Sequence, residues 1–139
     1  MSTEDLRDSR PRRALAGLRI AVALLLAIHG GARIALGIVD DFGTFLTASG
    51  FPLGLACAWA VTVFELLGSG LLALGRWIRP ISLAFAAELA LGVVLVHAQE
   101  GWFVVGAGRN GMEYSFLLIV VLLALAFVGA GGGRAFRAP

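Results

Sequence analysis

The sequence predicts an all-α integral membrane protein, in which four transmembrane helices form a bundle and both termini lie in the cytoplasm. Of its 139 residues, 59% are hydrophobic and 14% charged, and the mean hydropathy is +0.91. About a quarter of the residues are charged in an average soluble domain. The apolar residues form four long segments, and most arginines lie at one side of them. This composition disfavours a soluble enzyme.

Two further function classes are disfavoured by charge and cysteine content. The eleven basic residues are all Arg, and the net charge of +2 is too small and too scattered for a nucleic-acid-binding protein. Cys57 is the single cysteine, so no disulfide can form within the chain. The expected solvent is therefore the lipid bilayer.

Four apolar segments are each about long enough to cross a bilayer as a helix. They are Leu15–Val39, Gly54–Gly75, Ile81–Ala98 and Met112–Gly129. A helix rises roughly 1.5 Å per residue and a crossing takes about 17–25 residues. Backbone amides in lipid must bond internally, which favours helices. The chain then divides into an Arg-rich tail (1–14), a four-helix membrane domain (15–129) and a Gly-rich tail (130–139), with both tails cytoplasmic.

Three connections separate these segments. Asp40–Pro52 contains two acids, two glycines and a proline, and Arg76–Pro80 is a tight link. Pro80 suits a first helical turn, where its missing N–H costs nothing. The third connection, Gln99–Gly111, holds four glycines and is predicted to be a flexible outer loop.

The arginines set the orientation, because cytoplasmic loops carry an excess of Arg and Lys. Nine lie on one predicted side: Arg7, Arg10, Arg12, Arg13, Arg19, Arg76, Arg79, Arg134 and Arg137. Only Arg33 and Arg109 lie toward the other. The sequence thus predicts a multi-pass membrane protein with both termini in the cytoplasm. A cleaved signal peptide ending near Gly31 is the alternative, but hydrophobicity resumes after Arg33.

Ionisable side chains inside the spans are the candidate functional residues, since each costs on the order of 2.5–3.5 kcal/mol at mid-bilayer. By helical rise, His29, Glu65 and Glu88 lie near the midplane. A second layer near the outer surface contains Arg33, His97, Glu113 and Tyr114.

These groups have a functional and a structural interpretation. In the first, an outward-facing polar pocket binds a polar head group and exchanges protons with it. Its candidate residues are His29, Arg33, Glu65, His97, Glu113 and Tyr114. By depth, Glu65 and His29 are the inner proton partners, His97 and Glu113 are the outer ones, and Arg33 is the counter-charge. In the second, the same groups hold the helices in register through interhelical hydrogen bonds.

A second candidate surface lies on the third predicted helix. Glu88 and His97 are nine residues apart, which is half a turn at about 100° per residue. If His97 faces inward, then Glu88, Gly92 and Gln99 face outward, toward lipid or another subunit.

Several familiar sites are disfavoured. The segment Gly106–Gly111 spells G-x-G-x-x-G, but the next helix is apolar all round and no acidic residue follows at the required distance. His29 and His97 differ by about eight residues in depth, on the order of 12 Å, which is too far for haem ligands within one chain. The same offset argues against zinc, so no metal site is predicted.

An ordered set of short motifs resembles the DoxX family of small four-helix bacterial membrane proteins. The resemblance covers Arg19 to Gly129, with Arg33 replacing a common Lys and Glu88 replacing a more usual apolar residue. The motifs are Arg19, His29-Gly30, Arg33, Ser49–Pro52, Glu65–Gly68, Arg79, His97 and Gly111–Tyr114.

The resemblance implies a redox role in the bacterial inner membrane. The family is similar to the membrane subunit of thiosulfate:quinone oxidoreductase, and other members associate with membrane oxidoreductase complexes. It implies membrane or membrane-associated redox subunits as partners and a quinone as the candidate ligand, with no tightly bound cofactor. The alternative is a noncatalytic scaffold subunit that docks through the Glu88 face.

Overall fold

The computed structural model describes residues 3–106 and 109–130, and within them the chain forms five α-helices and no strand. The helices are α1 (Thr3–Ala35), α2 (Val39–Ala48), α3 (Gly54–Ala73), α4 (Ile78–Leu95) and α5 (Glu113–Ala130), and a 3₁₀ turn covers His97–Glu100. The predicted C-terminal tail lies outside the described residues from position 131.

Three of these helices are long and apolar enough to cross a membrane, counting only residues that the structure describes. They are Arg10–Ala35 within α1, Gly54–Ala73 and Ile78–Leu95. The fourth apolar helix, Glu113–Gly129, is shorter. All four correspond to the predicted apolar segments. α1 starts before its predicted segment, so the predicted N-terminal tail is continuous with the first helix from Thr3 onward.

The short helix α2 differs from the sequence prediction, which made Asp40–Pro52 a connection. Glycines with positive φ bound it on both sides: Gly37 (φ +68°) follows α1 and Gly50 (φ +91°) follows α2. At each, a pair of backbone bonds closes the preceding helix; for α1 these are Gly37 N–H to Ile34 O and Ile38 N–H to Arg33 O. α2 is therefore a separate helix of ten residues, or roughly three turns, delimited by glycines.

The described residues group into two compact units, which are described separately. The first, residues 18–76, contains most of α1 with α2 and α3. In it α1 and α3 run antiparallel: the Arg19 guanidinium donates to Ala73 O near the end of α3 (3.1 Å), whereas Gly30 lies against Thr62 and Glu65. α2 packs on the start of α3, where a Cβ on Gly43 would lie 2.8 Å from Leu55 Cα.

The second unit contains α4, the 3₁₀ turn and α5, together with residues before position 18. α4 and α5 are antiparallel neighbours, because the start of α4 meets the end of α5 at Ile78 and Gly129. Large side chains such as Phe85, Leu122 and Leu125 are fully buried. The segment between the helices folds back on the first turn of α5 and is described with the site.

Candidate functional site

The centre of the candidate site is an ion pair between α1 and α3 in the first unit. Arg33 Nη1 lies 2.6 Å from Glu65 Oε2, and Nη2 lies 2.7 Å from Oε1. Only 12% of the Arg33 side chain and 3% of the Glu65 side chain are exposed. Two parallel charge-assisted hydrogen bonds of this kind are short and directional. The pair therefore fixes both side chains in one geometry and cancels their charges.

Thr62 and Phe42 surround the Arg33 guanidinium. Arg33 Nη1 also donates to Thr62 Oγ1 (3.1 Å), and the Thr62 hydroxyl donates to Ala58 O (2.8 Å). The Phe42 ring on α2 lies under the guanidinium, with its centroid 4.8 Å from Cζ. A cation facing an aromatic ring is attracted by its quadrupole. Side chains of α2 and α3 thus hold the Arg33 cation of α1.

Gly30 brings α1 close enough to α3 for this pair to form. A Cβ at Gly30 would lie 2.9 Å from Glu65 Oε2 and 3.3 Å from Thr62 O. Gly30 and Arg33 are three residues apart on α1, as are Thr62 and Glu65 on α3. This spacing places each couple on one helix face. The absence of a side chain at Gly30 therefore makes room for the carboxylate that Arg33 binds.

His29 lies next to Gly30 in sequence but is exposed at the surface of α1. The hydrogen bonds of the Arg33–Glu65 pair do not include it. The use of His29 as a proton partner of Glu65 stays a prediction. The Glu65 carboxylate binds the Arg33 guanidinium, which is the residue predicted as the counter-charge.

His97 and Glu113 bind the backbone of the segment between α4 and α5. His97 Nδ1 lies 2.8 Å from Asn110 O, and Glu113 Oε1 accepts a bond from Val104 N–H (2.9 Å). Glu113 N–H in turn donates to Trp102 O (3.0 Å). Both side chains therefore help to fold this segment. A pocket that combines them with Glu65 stays a prediction.

The remaining candidate residues are distributed along the second unit. Tyr114 is exposed in the first turn of α5, and Glu88 and Gly92 are half-buried on α4. Gln99 is exposed and its amide donates to Leu95 O (3.4 Å). The use of Glu88, Gly92 and Gln99 as a partner surface also stays a prediction.

Comparison with known proteins decides the family. The DoxX family model matches residues 14–98, which is more than half of the chain. The chain belongs to the DoxX family. An uncharacterized protein of Haemophilus influenzae is 30% identical over 117 residues, covering 84% of this chain and 84% of its own length. No solved structure matches the chain. The resemblance drawn from the sequence motifs is thereby confirmed.

The DoxX match contains every residue of the Arg33–Glu65 site, including three that the sequence reasoning did not single out. These are Phe42, Thr62 and Gly30, the last for its close approach to Glu65. Thr62 had a usable signal, because it lies one turn before Glu65 and is one of few polar residues in that span. Phe42 had none, since its position depends on a helix that was predicted to be a connection.

Proposed function

We propose that this DoxX protein is a four-crossing subunit of a quinone-linked oxidoreductase complex in the bacterial inner membrane. Three helices long enough to span a membrane and the shorter α5 support four crossings. The distribution of arginines supports cytoplasmic termini. The redox association is what membership of the family suggests, and electrons would come from partner proteins.

The Arg33–Glu65 pair is the proposed binding site for the quinone head group, and its charge balance is the observation that carries this proposal. Within one lipid-spanning unit, the pair joins a cation and an anion at 2.6 Å and 2.7 Å. A guanidinium has five N–H donors, and three of its bonds here go to Glu65 and Thr62. The remaining N–H groups of Arg33 can donate a hydrogen bond to a ligand oxygen.

The balanced charge of the Arg33–Glu65 pair indicates which class of ligand it would bind. An uncompensated buried guanidinium would attract an anion strongly, whereas Glu65 already satisfies the charge of Arg33. A neutral carbonyl can accept a hydrogen bond from the guanidinium without displacing the carboxylate, and the Phe42 ring offers an aromatic surface beside it. A quinone head group combines neutral carbonyl oxygens with a flat ring, so these residues fit it.

The quinone would supply two-electron redox chemistry when bound. The chain itself would orient the head group through Arg33, keep the guanidinium in place through Glu65 and Thr62, and cover it with Phe42. His29, His97, Glu113 and Tyr114 remain candidate proton-handling residues of this proposal.

Quinone retention tests the proposal. The tagged chain is purified from membranes in mild detergent, and the quinone that copurifies is extracted and quantified against protein. We expect the double variant R33M/E65M, which removes both charges together, to lose the quinone. The control I34M/L67M changes exposed neighbours on the same two helices and is expected to retain it. Equal quinone content in all three proteins would exclude this site.

A noncatalytic assembly subunit is the second candidate function. One observation favours it: His97 and Glu113 bond to the backbone of their own connecting segment, which is a structural use of both groups. Such a subunit would copurify stoichiometrically with its partner and would tolerate R33M/E65M. It would not tolerate changes at Glu88 and Gly92.

A further inference from the structure

The segment between α4 and α5 exposes a group of large apolar side chains. Trp102 and Phe103 are about half exposed and Val105 is 75% exposed. Tyr114 and Phe116, in the first turn of α5, are exposed to a similar degree as Trp102. The Trp102 and Phe116 rings contact each other, with centroids 5.6 Å apart. We call these five residues the aromatic loop.

Backbone hydrogen bonds join the two ends of the segment that carries the aromatic loop. The N–H groups of Gly111, Met112 and Glu113 donate to the carbonyls of Phe103, Gly101 and Trp102, at 3.0–3.2 Å. The Val104 N–H, in the same stretch, donates to the Glu113 carboxylate. Nonhelical backbone is costly near hydrocarbon because its polar groups lose water. Internal bonding removes much of this cost.

The same bonds hold the loop in one conformation. A Cβ at Gly111 would lie 2.6 Å from Trp102 O, so the two backbone stretches are in direct contact. Because the backbone is held at both ends, the exposed side chains of Trp102, Phe103 and Val105 project from an ordered support. Their exposure is therefore a property of the fold of this unit.

The length of α5 indicates which environment these side chains meet. Its 18 residues give roughly 27 Å at 1.5 Å per residue, slightly less than a hydrocarbon core of about 30 Å. The aromatic loop adjoins the first turn of α5 and can extend its apolar surface. Trp and Tyr are enriched at membrane–water interfaces, where the ring contacts acyl chains and the polar atom contacts water.

We propose that the aromatic loop inserts into the interfacial layer of the bilayer and anchors the start of α5 there. The occupant of this surface is lipid, at the boundary between head groups and acyl chains. The anchor fixes the depth of α5 in the bilayer. This inference is independent of any quinone-linked role.

Depth-dependent fluorescence quenching tests the anchor. The full chain carrying W59F and W77F leaves Trp102 as its single tryptophan, and it is reconstituted in phosphatidylcholine vesicles. The quenchers are lipids brominated near the head-group end or near the middle of the acyl chain, and aqueous iodide. We expect the shallow bromolipid to quench Trp102 most strongly and iodide to quench it several-fold less than free tryptophan.

The variant W77F/W102F provides the depth reference. Its remaining Trp59 is exposed in the second turn of α3, so we expect the mid-chain bromolipid to quench it more strongly than it quenches Trp102. Two results would overturn the proposal. Strong iodide quenching of Trp102 without bromolipid quenching would place the loop in water, and quenching by neither would mean that protein covers it.

Discussion

The buried Arg33–Glu65 pair is the best-defined polar feature of the first unit. Removing two charges from water costs several kcal/mol per ion, and the attraction offsets this only with good geometry and further hydrogen bonds. Thr62, Phe42 and the two parallel bonds supply those conditions. Either charged residue alone would therefore destabilise the fold, whereas the two together are compatible with a stable fold.

Removing one partner of the pair should destabilise the protein strongly. E65Q leaves a buried guanidinium without its carboxylate, so we expect a loss of about 3–5 kcal/mol, whereas R33M/E65M should cost much less. Thermal unfolding in detergent, followed by circular dichroism, measures both. A double variant as unstable as E65Q would contradict this account of the pair.

Arg33 should not be replaceable by Lys. An ammonium cannot make two parallel bonds to a carboxylate while also donating to Thr62 with the same planar geometry. We expect R33K to retain the positive charge yet lose part of the stability, by roughly 1–3 kcal/mol. The control substitution I34M, at the adjacent exposed position, should unfold at the wild-type temperature.

The pairing of these residues was harder to predict than their importance. Both Arg33 and Glu65 were predicted to matter, because a charged side chain in an apolar segment is costly unless it has a partner or a function. Counting residues from the helix ends placed them in different layers, with Glu65 and His29 as proton partners and Arg33 as a counter-charge. The long Arg33 side chain spans that difference in depth, and Gly30 brings the two helices together. Helical rise gives the depth of a backbone position but neither the reach of a side chain nor the distance between helices.

At the scale of elements, glycines decide how the helices meet. Gly43 and Gly54 lie where α2 crosses the start of α3, and backbone atoms of the two helices touch there. Because Phe42 on α2 covers Arg33, this crossing also positions part of the candidate site. The sequence did not reveal α2, since ten residues with two acids and a glycine resemble a connection.

A side chain at Gly54 should separate α2 from α3. A Cβ there would collide with Gly43 O and the Thr47 hydroxyl and would lie 2.7 Å from Thr47 N. We expect G54A to cost about 1–3 kcal/mol. G70A on the same helix meets nothing within 4 Å and should be neutral or stabilising, because Ala favours helices. Melting temperatures of the two variants provide the measurement.

Two substitutions distinguish a structural role of Glu113, as a hydrogen-bond acceptor, from a role as a proton carrier. E113Q keeps an oxygen that accepts from Val104 N–H, whereas E113A removes it. If the group is structural, limited proteolysis between α4 and α5 should increase in E113A only. Equal resistance of E113A and wild type would mean that this bond does not hold the loop.

For the whole molecule, the prediction of four membrane crossings and cytoplasmic termini rests on the lengths of the apolar segments and on the distribution of the arginines. The apolar segments were predictable because a span requires a long run of apolar residues, and all four appear as helices. The predicted flexible connection after α4 proved instead to contain a 3₁₀ turn and a network of backbone bonds. Such bonds join residues without any periodic pattern, so they could not be predicted from the sequence.

Reporter fusions test the topology. We expect green fluorescent protein to fluoresce when fused after the C-terminus and alkaline phosphatase to be inactive there, because the arginine distribution predicts a cytoplasmic end. Phosphatase fused after Gly101, between α4 and α5, should be active. The opposite pattern at either site would reject the predicted orientation.

Titration with decylubiquinone tests whether the neutral Arg33–Glu65 pair binds a neutral carbonyl head group. The full chain in lipid nanodiscs is titrated while tryptophan quenching is recorded, with sulfate as a competing anion. The account predicts saturable quenching by wild type and I34M/L67M, none by R33M/E65M, and no competition by sulfate. Saturable binding of the same affinity in R33M/E65M would contradict it.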